Sequence, residues 1–214
     1  MSIVKSLIFD FDNTIVKNTS PIDLHVLDVV KKYNKGTDEQ QLLKTIRRAT
    51  TNYQICQKLV PNEDIESVYK QILEINLENV KKAYYSPKII DLILSLKDYY
   101  ALHIVSGRDV FSLTYSLKEH KIDSCFVEII GADSGFKAKP SPEALEFIIN
   151  KYDFTSSQII AIGDSHADYL AAKGAGCKFI NACWYEGRDI IGDSVVSCYD
   201  IGSFMDVMKS IQSN

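Results

Sequence analysis

Ser6-Leu7-Ile8-Phe9-Asp10-Phe11-Asp12-Asn13-Thr14 is the stretch on which the reading of this chain turns. An apolar run ends abruptly in two carboxylates one residue apart. The run has the length and composition of a buried strand, and side chains alternate along an extended backbone. Asp10 and Asp12 therefore emerge close together where the strand gives way to a loop. Two anions that close repel unless a cation lies between them or one carboxyl holds a proton. The pattern fits a nucleophile beside a proton donor, or a divalent metal site. It equally fits an ordinary loop start or helix cap, so the pair needs support from elsewhere in the chain.

Three further motifs, two of them at strand ends, provide that support. Ala101-Leu102-His103-Ile104-Val105 reads as a buried strand that ends in Ser106-Gly107-Arg108, with a helix expected to begin near Asp109. A hydroxyl, a glycine and free backbone amides make a nest of phosphate size. Gly135-Phe136-Lys137-Ala138-Lys139-Pro140-Ser141-Pro142-Glu143 sets Lys139 just before a helix start, with Ser141 as N-cap and Pro142 at the first helical position. Ser157-Gln158-Ile159-Ile160-Ala161-Ile162 is another strand, followed by Gly163-Asp164-Ser165-His166-Ala167-Asp168 and a helix that stops near Gly174. One helical turn starting at Asp164 would bring Asp164 and Asp168 together. Capping explains either acid alone but not both beside a glycine. His166 is read as a solvent-facing first-turn residue, and Arg108 is left between substrate contact and strand-end cap.

Taken in order, Asp-x-Asp-x-Thr, Ser-Gly, Lys-Pro and Gly-Asp-x-x-x-Asp resemble the haloacid dehalogenase superfamily, from Val4 to about Trp184. Val16-Lys17-Asn18-Thr19-Ser20-Pro21-Ile22-Asp23-Leu24 further resembles its phosphoglycolate-phosphatase-like branch. That branch usually has an acidic residue where Lys17 stands and a glycine where Asn13 stands. The resemblance implies a Mg²⁺-dependent phosphatase acting on a small phosphorylated metabolite through an aspartyl-phosphate. It implies Asp10 as nucleophile, Asp12 as general acid and base, and Lys139 as the charge that steadies Asp10. Phosphate would be bound by Ser106, Lys139 and the amides of Gly107 and Asn13. The metal would be held by Asp10, the Asp12 backbone carbonyl and Asp164, with Asp168 direct or through water. A sugar-phosphate mutase, a phosphonate-cleaving enzyme using Lys17 or Lys31, and a non-catalytic scaffold remain as alternatives. A dehalogenase has no need of Asp12.

Apolar runs at 7–9, 102–105, 127–130, 159–162, 179–180 and 195–196 are of strand length. Those bearing motifs feed into helices. The expected fold is therefore α/β, a mainly parallel Rossmann-like three-layer sandwich with a smaller all-helical cap. Every motif sits at a strand's carboxyl end, where such sheets bind ligands. Residues 1–15 and 85–214 are assigned to the core and 16–84 to the cap. Within the cap, Thr37-Asp38-Glu39-Gln40 reads as a capping box before a helix carrying Leu42, Leu43, Ile46, Ala49 and Tyr53. Asn62 or Asp64 starts another, carrying Ile65, Val68, Ile72 and Ile75. Ser86-Pro87 opens a core helix, and Ile201 to Ile211 a closing one. Substrate selection is expected from cap loops near Lys17–Pro21 and Arg47.

Composition narrows the partners. Of 214 residues, 24 are Lys or Arg and 28 Asp or Glu, a net charge of −4 that offers no nucleic-acid footprint. No apolar run approaches a membrane span, and a strand begins almost at once, which leaves no room for a signal peptide. The five cysteines are scattered, with no Cys-x-x-Cys pair, and read as free thiols of a cytoplasmic protein. A monomer or a homodimer is expected.

Overall fold

The computed structural model describes residues 3–18, 22–49, 51–185, 189–193 and 195–213, without the side chains of residues 22, 47, 48, 212 and 213. Thr19, Ser20, Pro21 and the Arg47 side chain, singled out above, therefore lie outside the described residues. The order of elements is β1 (Ser6–Phe9), α1 (Ile22–Tyr33), α2 (Glu39–Arg48), α3 (Asn52–Leu59), α4 (Ile65–Lys81) and α5 (Pro87–Leu96). There follow β2 (Ala101–Val105), α6 (Val110–Glu119), β3 (Phe126–Ile130), α7 (Glu143–Lys151) and β4 (Ile159–Gly163). The chain then runs through α8 (His166–Gly174), β5 (Lys178–Ala182), β6 (Val195–Cys198) and α9 (Phe204–Ser213).

Among the described residues all the strands pair in parallel in one sheet, in the order β3-β2-β1-β4-β5-β6. Both faces are covered, and the two-residue period decides which side chain goes where. Leu7, Phe9, Leu102, Ile104, Ile160 and Ile162 face a core closed by α5, α6 and α9. Ile8, Val105, Ile159 and Ala161 face a second core closed by α7 and α8. Strands buried on both sides explain why they read as unbroken apolar runs. This is the expected three-layer α/β sandwich.

Helices α1 to α4 gather a third apolar cluster that includes Val30, Leu42, Ile46, Cys56, Val68 and Ile72. Two details here differ from the sequence reading. Asp38, not Thr37, is the N-cap of α2, its carboxylate accepting from the Gln40 and Gln41 amides. The periodicity from Leu42 to Tyr53 is not one helix, because the backbone turns extended at Ala49 and Thr51 caps α3 anew. The strands of chain leading into and out of this helical segment are bound to each other. Lys17 and Tyr84 exchange both backbone hydrogen bonds, at 2.9 and 3.2 Å. Trp184 Nε1 donates to Thr14 O at 2.9 Å, and the Tyr185 hydroxyl donates to Ile15 O while accepting from the Ser86 amide.

His103, hidden inside an apolar run, is fully buried on β2 with neither ring nitrogen hydrogen-bonded to the described residues. It packs against the rings of Tyr152 and Phe154, with Glu128 and Lys151 as the nearest charges. Burial pushes its pKa down from 6.5 to about 4, Glu128 opposing and Lys151 assisting. Unfolded, the imidazole protonates at its ordinary pKa. Between pH 6.5 and about 4 the unfolded chain thus binds a proton that the folded chain refuses. Stability falls with pH across that window, by roughly 3 kcal/mol from this residue. In urea titrations across the window, His103→Phe should lose stability less steeply than wild type as pH falls; parallel profiles would show that His103 contributes nothing.

Candidate active site

β1, β2 and β4 are neighbours at the centre of the sheet, so their carboxyl ends bring three distant motifs to one place. Asp10 follows β1 directly, its amide bonded to Ile162 O at 2.8 Å. The chain then turns tightly, with Asn13 in the left-handed region at φ 55°. The branch's usual glycine has no difficulty there, and asparagine is among the side chains that tolerate it best.

Lys139 reaches into this turn from the loop before α7. Its Nζ lies 2.6 Å from Asp10 Oδ1, 2.5 Å from Asp168 Oδ1 and 2.9 Å from Val105 O. Burial alone would lower the lysine's pKa, but the charges of Asp10 and Asp168 overturn that and raise it. Pro142, not Ser141, is the N-cap of α7, which begins at Glu143, one residue later than the sequence reading has it; the Ser141 Oγ accepts from the Glu143 amide at 3.4 Å.

The fourth motif is arranged by a cap rather than by the helical turn expected from Asp164. Ser165 is the N-cap of α8, and Asp168 is its third helical residue. Asp168 Oδ2 accepts from the Ser165 amide, and Ser165 Oγ accepts from the Asp168 amide. Capping and site-building coexist in one residue, since Asp168 Oδ1 still faces Lys139. Gly163 makes room for this: a Cβ there would stand 2.6 Å from Asp168 Cβ and Cγ. His166 is exposed on the first turn, as expected.

Asp10, Asp164 and Asp168 each offer a carboxylate oxygen within 4.8 Å of the others. Burial raises the Asp10 pKa well above its ordinary value; Lys139 opposes this, and the charges of Asp168 and Asp12 add to it. Asp164 is pushed up to about 6, by burial first and then by Asp168, with a hydrogen bond from the Asn13 side chain drawing it back. Three crowded carboxylates against one lysine leave anionic charge in excess. An all-oxygen donor set with that excess fits a hard divalent cation such as Mg²⁺.

Ser106 is buried, with its Oγ accepting from the Arg108 amide at 3.2 Å, which leaves its own proton to donate. Asp109 caps α6 by accepting from the Ser112 amide. Arg108 is the residue whose part the sequence left open. Its Nε sits 2.7 and 2.9 Å from the two Asp12 oxygens, and its Nη2 donates to Asn18 Oδ1 at 2.9 Å. Above this face lies a cleft of about 250 Å³, bounded by Asp12, Gly107 and Arg108 below and by Val26, Ile46 and Asn76 from the helical segment above.

The family model for haloacid dehalogenase-like hydrolases matches residues 7–182. The chain belongs to that family. Among haloacid dehalogenase-like relatives, a phosphoglycolate phosphatase of Haemophilus influenzae is 28% identical over 189 residues, spanning 80% of this chain and 82% of that one. One from Colwellia psychrerythraea is 27% identical, with 96% of each chain covered. The fold also matches a crystal structure of a predicted phosphoglycolate phosphatase from Haemophilus somnus, with a TM-score of 0.74 at 20% identity, covering 97% and 99% of the two chains. Among the described residues of this hydrolase no helix is long and apolar enough to cross a membrane.

Proposed function

We propose that this hydrolase is a Mg²⁺-dependent phosphatase of small phosphorylated metabolites, phosphoglycolate-like ones included, working through an aspartyl-phosphate on Asp10. The reading is carried by one observation: Asp10 stands in a ring of Asp164, Asp168 and Lys139, where its charge and that of an incoming phosphate can be balanced. Relatives named phosphoglycolate phosphatase support it.

Asp10, the Asp12 backbone carbonyl and Asp164 would hold the cation, with Asp168 direct or through water. When bound, Mg²⁺ supplies the positive charge that lets one anion approach another. Lys139 opposes the burial that raises the Asp10 pKa, steadies that carboxylate and adds to the positive cradle. The Ser106 hydroxyl and the Gly107 and Asn13 amides bind the non-bridging oxygens. An Asp10 oxygen bonds to phosphorus as the ester bond to the leaving oxygen breaks, and Asp12 gives that oxygen a proton. Water then attacks phosphorus and yields a proton to Asp12, which frees Asp10 and inorganic phosphate.

Residues 16–84 are assigned to a cap whose apolar cluster is separate from the two sheet cores, and the cleft beneath it takes the leaving group. Lys31, a candidate imine-forming lysine, is ion-paired with Glu39, which does not favour a phosphonate-cleaving role.

The test is phosphate release from a panel of phosphoglycolate, sugar phosphates, glycerol phosphates and p-nitrophenyl phosphate, with Mg²⁺ or excess EDTA. Release should need Mg²⁺ and return when it is restored. Undiminished release in EDTA would refute the metal site. Interconversion of sugar phosphates without net release would identify a mutase instead.

A further inference from the structure

We propose that Asn18 is a positioning residue that aims Asp12 at the leaving group through Arg108. The inference rests on the phosphatase reading and concerns residues to which the family pattern assigns no part. Asp12 is half-buried and shares one guanidinium with Asn18: Arg108 Nε serves both Asp12 oxygens while Nη2 donates to Asn18 Oδ1. The arginine is itself only 5% exposed and lies over the Phe11 ring, its Cζ 5.9 Å from the centroid.

A planar fork held at two points cannot roll about its own axis, so the Asn18 oxygen sets the plane in which Arg108 presents itself to Asp12. Asn18 is fixed in turn, because its amide donates to Asn13 Oδ1 at 3.1 Å and the Asn13 side chain bonds Asp164. The chain Asp12–Arg108–Asn18–Asn13–Asp164 thus joins the proton-carrying acid to the metal-facing acid. It runs through the residue that follows the Lys17–Tyr84 linker pairing. Asn18 touches none of the reacting atoms in the proposed mechanism, so its influence is on where Asp12 points.

The experiment compares two substrates that differ in their need of a proton on the leaving oxygen. An alkoxide is a poor leaving group without one, whereas p-nitrophenolate departs unaided. Asn18→Leu keeps the size and the backbone amide but removes the acceptor. It should slow the fastest alkyl phosphate of the panel about thirtyfold and p-nitrophenyl phosphate less than about threefold, in line with the cost of small misplacements. Asn18→Asp, which keeps an acceptor for Arg108, should recover most of the alkyl rate. Arg108→Lys, which cannot serve both partners at once, should show the same substrate-dependent loss as Asn18→Leu. Equal losses on both substrates, or no recovery in Asn18→Asp, would overturn the positioning role and leave the phosphatase reading intact. No Mg²⁺-dependent release of phosphate from either substrate by the wild-type protein would instead overturn the phosphatase reading, and this one with it.

Discussion

Asp10→Asn is expected to lower phosphate release by at least about four orders of magnitude, since a neutral amide is a far feebler nucleophile towards phosphorus than a carboxylate and nucleophile deletions are of this size. The fold should persist. Lys139 keeps Asp168 and Val105 O as partners, and the substitution removes one of three crowded carboxylates. Circular dichroism and the thermal midpoint should therefore stay close to those of the wild type in the absence of metal. Rapid acid quenching of the wild type during turnover should trap a phosphoryl group on the peptide containing Asp10, and the variant should trap none. Wild-type turnover in Asp10→Asn, or a trapped phosphoryl group elsewhere, would refute the assignment of Asp10.

Lys139→Met should be the more disruptive change for the protein without metal. It leaves two mostly buried carboxylates, Asp10 and Asp168, facing an apolar side chain. Breaking a buried pair by deleting one partner costs about 3–5 kcal/mol. For a chain of this size each kcal/mol moves the thermal midpoint by roughly 2–4 °C, so a fall of about 6 °C or more is expected. Added Mg²⁺ should restore more stability to the variant than it adds to the wild type, because it replaces the missing positive charge. Turnover at saturating Mg²⁺ should still fall about a hundredfold or more, for want of a preorganised charge at Asp10. An unchanged midpoint in the absence of metal would mean that Lys139 does not carry the charge balance of the site.

Much of this was legible in the sequence because chemistry and burial coincide there. Each of Phe9, Val105 and Ile162 ends an apolar run, and the residues next along the chain carry the reactive groups. The parallel sheet then collects those ends at one edge. Less legible was whatever depends on a single side chain's reach. The part of Arg108 is hidden in the sequence because its partners, Asp12 and Asn18, lie 96 and 90 residues away. Nothing local shows that Asn18 accepts from it. His103 was lost in the run Leu102–Val105 since one polar residue does not break a strand buried on both sides. In the helical segment, α2 and α3 read as one helix in the sequence because an extended turn at Ala49 hardly disturbs the spacing of apolar residues across it.

The position of β1 also bears on the order in which the molecule comes into being. Its two neighbours in the sheet begin at Ala101 and Ile159, so the first strand synthesised waits for about half of the chain before one edge is covered and about three-quarters before both are. The cluster at Val30, Leu42, Cys56 and Ile72, by contrast, is closed by contacts between residues near in sequence, which form fast. On an emerging chain the helical segment orders while Asp10 is still beside an unpaired strand. Asp10 thus stays without its companion acids, Asp164 and Asp168, until β4 and α8 arrive, so on the proposed mechanism the chain gains chemical competence only late in its own synthesis.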